Sequence, residues 1–372
     1  MLRPAAARVG TGTLRSMEPN RDGIWAALEQ VIDPELRRPV TDLDMVRDIA
    51  IEGGAVTVTI ALTVAGCPLR ASFQEQVAHR VGAVPGVETT AVAFEVMTPD
   101  EKAALTSKLR GGVAARSKGI AVDRSTRVLA VASGKGGVGK SSLTVNLAAA
   151  LSSAGRRVGV LDADIYGHSI PHLLGVSQRP VVVDQMIVPP VARDVKLMSI
   201  GFFLDENSPV MWRGPMLHRA LEQFLTDVHW GELDVLLVDM PPGTGDVSIS
   251  LGQLLPRAEA VVVTTPQPLA QEVAARAAAM AQKTGMRVLG VVENMSSEVF
   301  GSGGGDRLAT ELGVPLLGRV PLDVRVRTSA DGGVPLVLQD AGSEPAAAFA
   351  DIAEAIDANR AGGFTRTLPL VS

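Results

Sequence analysis

Between an apolar strand and a helix lies the string Gly134-Lys-Gly-Gly-Val-Gly-Lys-Ser141, and it constrains the chain more than any other stretch. It fits G-x-x-x-x-G-K-[ST] in the strand–loop–helix setting that this motif requires. Glycines let backbone N–H groups curl around phosphate oxygens, and the following helix turns its positive end toward them. Lys140 is expected to reach the β- and γ-phosphates of a bound nucleotide, and Ser141 to hold Mg²⁺. The expected phosphate cradle is Gly134, Lys135, Gly136, Gly137, Val138, Gly139, Lys140, Ser141 and Ser142.

The texture around the loop agrees with an α/β fold. Short apolar runs at 128–132, 157–161, 233–238, 260–264, 288–292 and 315–320 read as buried strands. They alternate with helical patterns at 140–154, 216–228, 271–285, 305–312 and 344–359. Such alternation predicts a mostly parallel sheet with helices on both faces. A chain of 372 residues exceeds one ordinary compact unit. A second, smaller α+β unit is expected ahead of the loop. It has a helix over 22–31, strands over 46–52 and 55–62 joined by Gly53-Gly54, a helix from 67 to 82, and a strand over 89–96.

The expected division is therefore a disordered extension at 1–20, the small α+β domain at 21–97 and a linker at 98–126. The P-loop domain follows at 127–360, with a tail at 361–372. Met17 is an alternative start. Inside the linker, Thr98-Pro-Asp-Glu101 reads as a helix start, and Gly111–Gly119 reads as flexible.

Two further segments put acids at strand ends, where ligands bind in open α/β sheets. Leu161-Asp-Ala-Asp-Ile-Tyr-Gly167 supplies Asp162 and Asp164, and Val238-Asp-Met-Pro-Pro-Gly-Thr-Gly-Asp246 supplies Asp239. Gly243 and Gly245 make the second loop a candidate sensor of the γ-phosphate. Asp162 also reads as a turn cap.

A formal charge of −5 argues against a nucleic-acid partner, which would need a basic face. No apolar run approaches the ~18 residues that would span a bilayer, so no membrane role is expected and the expected location is the cytoplasm. Cys67 is the only cysteine, which excludes an intrachain disulfide. Its place before Pro68 at a predicted helix start would lower a thiol's pKa and make it reactive, and a small buried hydrophobe stands as an equal reading.

KGGVGKS at 135–141, DADIYGHSIP at 162–171, WRGPM at 212–216 and DMPPGTGD at 239–246 together resemble the Mrp (ApbC) family of P-loop proteins. In the small unit, Asp33-Pro-Glu-Leu36 and Leu62-Thr-Val-Ala-Gly-Cys-Pro68 resemble its first domain. The resemblance implies an ATP-hydrolysing homodimer that carries iron–sulfur clusters to apoproteins, with assembly factors as further partners. Lys135, as in deviant Walker A ATPases, would reach the partner's nucleotide. Asp164 would orient the attacking water, while Asp162 and Asp239 would support Mg²⁺ through water. Asn294 would pair with the adenine edge, with Pro321 and Asp323 lining the base.

The chain departs from that family in one respect: no Cys-x-x-Cys follows Glu293-Asn-Met-Ser296. Iron–sulfur clusters are usually held by four thiolates, so Cys67 becomes a possible cluster thiol. Two other readings stay open. One is a nucleotide-switched scaffold without a cluster; the other is a positioning ATPase of the partition or division type.

Overall fold

The structure, a computed structural model, describes residues 19–110, 122–165, 167–204 and 214–359. The expected extension up to residue 18, the expected tail, the Gly111–Gly119 stretch and Trp212-Arg213 of WRGPM fall outside these residues. The chain divides into two compact units, Met1–Gly112 and Val113–Ser372.

In the first unit, helix α1 (Arg21–Leu28) starts at Asn20, whose side chain accepts from the Asp22 N–H. Strands β1 (Val46–Glu52) and β2 (Ala55–Leu62) pair antiparallel, and β3 (Thr89–Val96) lies parallel to β2 after the crossover helix α2 (Arg70–Val81). The core is one-sided: α1 buries Ile24, Ala27 and Leu28, and α2 buries Phe73, Val77 and Val81. Helix α3 (Pro99–Leu109) begins with a capping box between Thr98 and Glu101. Arg47 pairs with Glu101 and Lys108 with Asp44, so α3 is tied to the sheet of this unit.

The second unit is built on an eight-stranded sheet. In chain order its strands are β4 (Arg127–Ser133), β5 (Val158–Asp162), β6 (Val191–Ala192), β7 (Val195–Ser199), β8 (Val235–Asp239), β9 (Glu259–Thr264), β10 (Arg287–Ser296) and β11 (Leu316–Pro321). Their spatial order is β6-β7-β5-β8-β4-β9-β10-β11, parallel except for the edge strand β6. The chain leaves β4 toward β5 on one side and later returns to β9 on the other. The carboxyl end of β4 is thus a topological switch point, where open α/β sheets bind ligands.

Helices α4 (Lys140–Ser153), α5 (Gly214–Thr226), α6 (Asp246–Leu254), α7 (Pro268–Lys283), α8 (Gly304–Leu312), α9 (Val324–Asp331) and α10 (Glu344–Ala358) complete the unit. Helix α4 is buried on nearly every side, because α10 covers the face that the sheet leaves open. Phe349, Ile352 and Ile356 of α10 are almost wholly buried; each contributes roughly 1.5–3 kcal/mol. At the opposite end of the sheet Arg127 pairs with Glu259 and donates to the carbonyl oxygens of Ile356 and Asn359, anchoring the last helix.

Strands β6 and β7 and helices α6 and α9 were not expected from the sequence, and the end of β10 differs from its reading. Glu293 to Ser296 continue β10 and do not follow it. Met295 takes φ +63 beside a register shift, a left-handed kink that lets the strand run on past Asn294. Helix α9 begins where the sequence showed only the segment around Asp323. Among the described residues no helix is long and apolar enough to cross a membrane.

Candidate functional site

The loop after β4 has the backbone that its glycines permit. Gly137 and Gly139 take φ +78 and +82, and Gly139 is the N-cap of α4. The Ser133 hydroxyl donates to the carbonyl oxygen of Lys135 at 3.1 Å, pinning the first bend. The Gly243 N–H donates to the Ser133 carbonyl at 2.8 Å, which brings the loop after β8 against the phosphate loop. Gly134 packs so closely on α7 that a Cβ there would stand 2.1 Å from the Val273 carbonyl carbon.

Lys140, Ser141 and Asp239 converge at the mouth of this loop. Lys140 Nζ lies 2.6 Å from Asp239 Oδ2, and Ser141 Oγ donates to the same oxygen at 2.7 Å. Asp164 Oδ2 is 3.8 Å from Lys140 Nζ, and Asp164 Oδ1 accepts from the Gly167 N–H at 3.1 Å. The Asp239 side chain is fully buried. One ammonium therefore faces two carboxylates, beside a hydroxyl. Serine and carboxylate oxygens are hard donors of the kind Mg²⁺ takes, and the surplus negative charge suits a divalent cation, so the donor set fits this ion.

Asp162 occupies the matching end of β5 but is engaged elsewhere. Its Oδ1 accepts from the Asp164 N–H at 3.2 Å; its Oδ2 accepts from the Ile170 N–H at 3.3 Å and the Ser199 hydroxyl at 2.9 Å. Burial first, and the Asp239 carboxylate second, push the Asp162 carboxyl well above the ordinary carboxylate range. Asp162 thus shapes the turn that carries Asp164.

The more distant expected residues also have defined partners. Asn294 is buried, and its Nδ2 donates to the Val138 carbonyl oxygen at 2.8 Å, placing it under the phosphate loop. Pro321 ends β11 opposite Ser296. Asp323 is the N-cap of α9, where it accepts from the Arg325 backbone N–H at 2.8 Å and pairs with the Arg325 guanidinium. Lys135 is exposed on the loop.

Two hydroxyls here were missed by sequence reasoning. Ser199 holds Asp162, and its contact depends on tertiary pairing alone. Thr144 donates to Asp239 Oδ1 at 2.8 Å. Its position four residues after Lys140, on the same helix face, was the available signal.

Residues 124–357 match the family described as NUBPL iron-transfer P-loop NTPase, and residues 21–94 match the iron–sulfur cluster assembly protein family. The chain belongs to the iron-transfer P-loop NTPases. This chain is 50% identical to the iron–sulfur cluster carrier protein of Mycobacterium leprae over 343 residues, 88% of this chain and 90% of that one. It is 43% identical to the protein of the same description from Synechocystis sp. over 351 residues, 90% and 96% of the two chains. Among solved structures it resembles the nucleotide-binding protein of Archaeoglobus fulgidus in complex with ADP, at TM-score 0.50 and 38% identity over 56% of this chain and 86% of that one. The septum site-determining protein MinD of Pyrococcus horikoshii with Mg-ADP matches at TM-score 0.50 and 26% identity, over 62% and 96%.

For an iron-transfer NTPase the segment after β10 is informative. Ser297 and Gly301 exchange backbone hydrogen bonds of 3.1 and 2.7 Å, closing a tight turn without a thiol. The buried Glu293 carboxylate anchors that turn by accepting from Ser296 Oγ at 2.7 Å, the Gly303 N–H at 3.1 Å and the Gly305 N–H at 2.5 Å.

Cys67, in the other unit, is half-buried and precedes α2, which begins only at Arg70. The expected lowering of its pKa is reversed: burial pushes the thiol up, and the Glu35 and Asp33 carboxylates add to this. The Leu69 backbone N–H and Arg70 oppose the rise without cancelling it. Among the described residues no group of three or more His, Cys, Asp or Glu is arranged to hold a metal ion.

Proposed function

We propose that this chain is an ATP-binding and ATP-hydrolysing carrier of iron–sulfur clusters, working as a homodimer in the cytoplasm and delivering clusters to apoproteins. The observation that carries the reading is the convergence of Lys140, Ser141 and Asp239 at the switch point, in a chain of the iron-transfer family. The loop from Gly134 to Ser142 would surround the phosphates with N–H groups, and Lys140 would neutralise charge developing on the transferred phosphoryl group. Ser141 and, through water, Asp239 would hold Mg²⁺, which when bound screens the phosphate charge. Asp164 would orient the attacking water. Lys135 would extend to the nucleotide of a second copy, so that nucleotide state sets dimer geometry. Asn294, with Pro321 at the end of β11 and Asp323 at the start of α9, would face the base.

The cargo site in this reading is Cys67 of each copy, together with ligands from recipient or assembly partners, because a dimer offers only these two thiols. The thiol-free turn at Ser297 to Gly301 favours a second reading, a nucleotide-switched scaffold that binds partner proteins without a cluster.

ATP turnover and sedimentation of the full chain, with ATP and Mg²⁺ or with neither, test the nucleotide part. The proposal expects slow turnover and an ATP-induced dimer, with Lys135→Ala binding ATP yet remaining mostly monomeric. A wild-type chain whose sedimentation ignores nucleotide would remove the dimer from the account.

A further inference from the structure

Thr144 lies one helical turn beyond Lys140 on α4, so both side chains stand over the same face. The residue is completely buried. Its Oγ1 is 2.8 Å from Asp239 Oδ1 and 3.0 Å from the carbonyl oxygen of Lys140. A hydroxyl has one proton to give, and the charged carboxylate is the stronger acceptor. Asp239 is therefore bonded on both sides: Oδ1 by Thr144, and Oδ2 by Ser141 at 2.7 Å and Lys140 at 2.6 Å. Three residues of a single helical turn fix both the position and the plane of this carboxylate. Threonine is suited to the task because its branched Cβ restricts χ1, and burial holds the chosen rotamer.

We infer that Thr144 is a positioning residue for the Mg²⁺–nucleotide site: by holding Asp239 Oδ1 it keeps Oδ2 aimed at Ser141. The inference rests on the nucleotide reading given above. Without the Thr144 proton, Oδ1 would be a buried acceptor with no donor, a costly arrangement. The carboxylate would turn about its Cβ–Cγ bond to recover a partner, and Oδ2 would leave the direction that Ser141 and Lys140 share. Removing partners that orient metal ligands usually lowers metal affinity or activity by about 10–100-fold.

Valine and serine divide the two properties of threonine. Thr144→Val keeps the shape and removes the hydroxyl, whereas Thr144→Ser keeps the hydroxyl and removes a methyl. The test is binding of a fluorescent ADP analogue to the full chain, titrated with Mg²⁺ and repeated in EDTA, with melting curves for each variant. In EDTA, Thr144→Val should bind the analogue within about twofold of wild type. The Mg²⁺ concentration for half-maximal enhancement of binding should rise about tenfold or more.

Thr144→Ala, a second variant without the hydroxyl, should share that shift, and Thr144→Ser should return most of the way to wild type. Equal Mg²⁺ dependence in Thr144→Val and wild type would overturn the inference, as would a Thr144→Ser protein behaving like Thr144→Val. Failure of the wild type itself to bind the analogue would instead refute the nucleotide reading, and the inference with it.

Discussion

The Asn294 side chain donates from Nδ2 to the carbonyl oxygen of Val138 at 2.8 Å, linking the end of β10 directly to the phosphate loop. A carbonyl can only accept, so this bond fixes which way the amide points and leaves Oδ1 as its remaining acceptor. Adenine offers an amino donor where guanine offers a carbonyl. ATP should therefore bind more tightly than GTP by about tenfold or more, the worth of one well-placed hydrogen bond in a protected site. Asn294→Asp removes the donor and sets a carboxylate against the Val138 carbonyl. Competition against a fluorescent ADP analogue should show about tenfold weaker ATP binding. Unchanged affinity and unchanged base preference would contradict this role.

A different contact sets the loop's other end. A Cβ at Gly134 would meet the backbone of Val273 at 2.1 Å, where no flexible side chain can yield. Gly134→Ala should destabilise the chain by about 1–3 kcal/mol. It should also shrink the rise in melting temperature that ATP produces, because the loop must move off α7. Thermal melting with and without ATP measures both effects.

Asp164 should separate binding from turnover. It stands 3.8 Å from Lys140 and is held by the Gly167 N–H, so removing it leaves Lys140 its bond to Asp239. Asp164→Ala should keep ATP affinity within a fewfold and slow hydrolysis by about 100-fold or more, the scale of a lost proton-handling group. Phosphate release at saturating ATP is the readout. Full turnover would remove Asp164 from the reaction.

Asp323 carries a pH signature. The Arg325 guanidinium, followed by the Arg325 backbone N–H, holds its carboxyl at about 2. A depressed pKa stabilises the folded state above the ordinary carboxylate value of about 4, and that contribution fades as pH falls toward 2. Asp323→Ala should therefore melt lower than wild type at pH 7, and the gap should close on acidification. A gap of equal size at both pH values would mean that the carboxylate charge is not what caps α9.

What could be read in the sequence was local. The GKGGVGKS string carries its own strand, loop and helix context, and the alternation in β1, β2 and β3 marks those strands at their observed limits. The region before α5 was obscure because its signals conflict. Strand β7 contains Lys196, a buried lysine in a run that otherwise reads as core, and its Nζ donates to the His229 carbonyl oxygen at 3.3 Å. Helix α9 begins Val324-Arg-Val-Arg327, an alternation that suits a strand, and its cap on Asp323 decides for helix.

The role of Ser199 comes from strand pairing alone, and that of Thr144 from the packing of α4 against the end of β8, which its place four residues after Lys140 only hinted at. Cys67 shows the same limit. Its place before a predicted helix start left a reactive thiol and a buried one equally open, and burial, with Glu35 and Asp33 nearby, moves its pKa up.

The central claim is that this chain carries a cluster although its only thiol is Cys67. Anaerobic reconstitution with iron and sulfide tests it most directly, with iron and labile sulfide measured per dimer in wild type and Cys67→Ser, followed by incubation with an apoprotein. The account predicts a stable cluster in wild type that passes to the apoprotein and is lost in Cys67→Ser. Iron and sulfide no higher than background in wild type would contradict it and leave the nucleotide-switched scaffold.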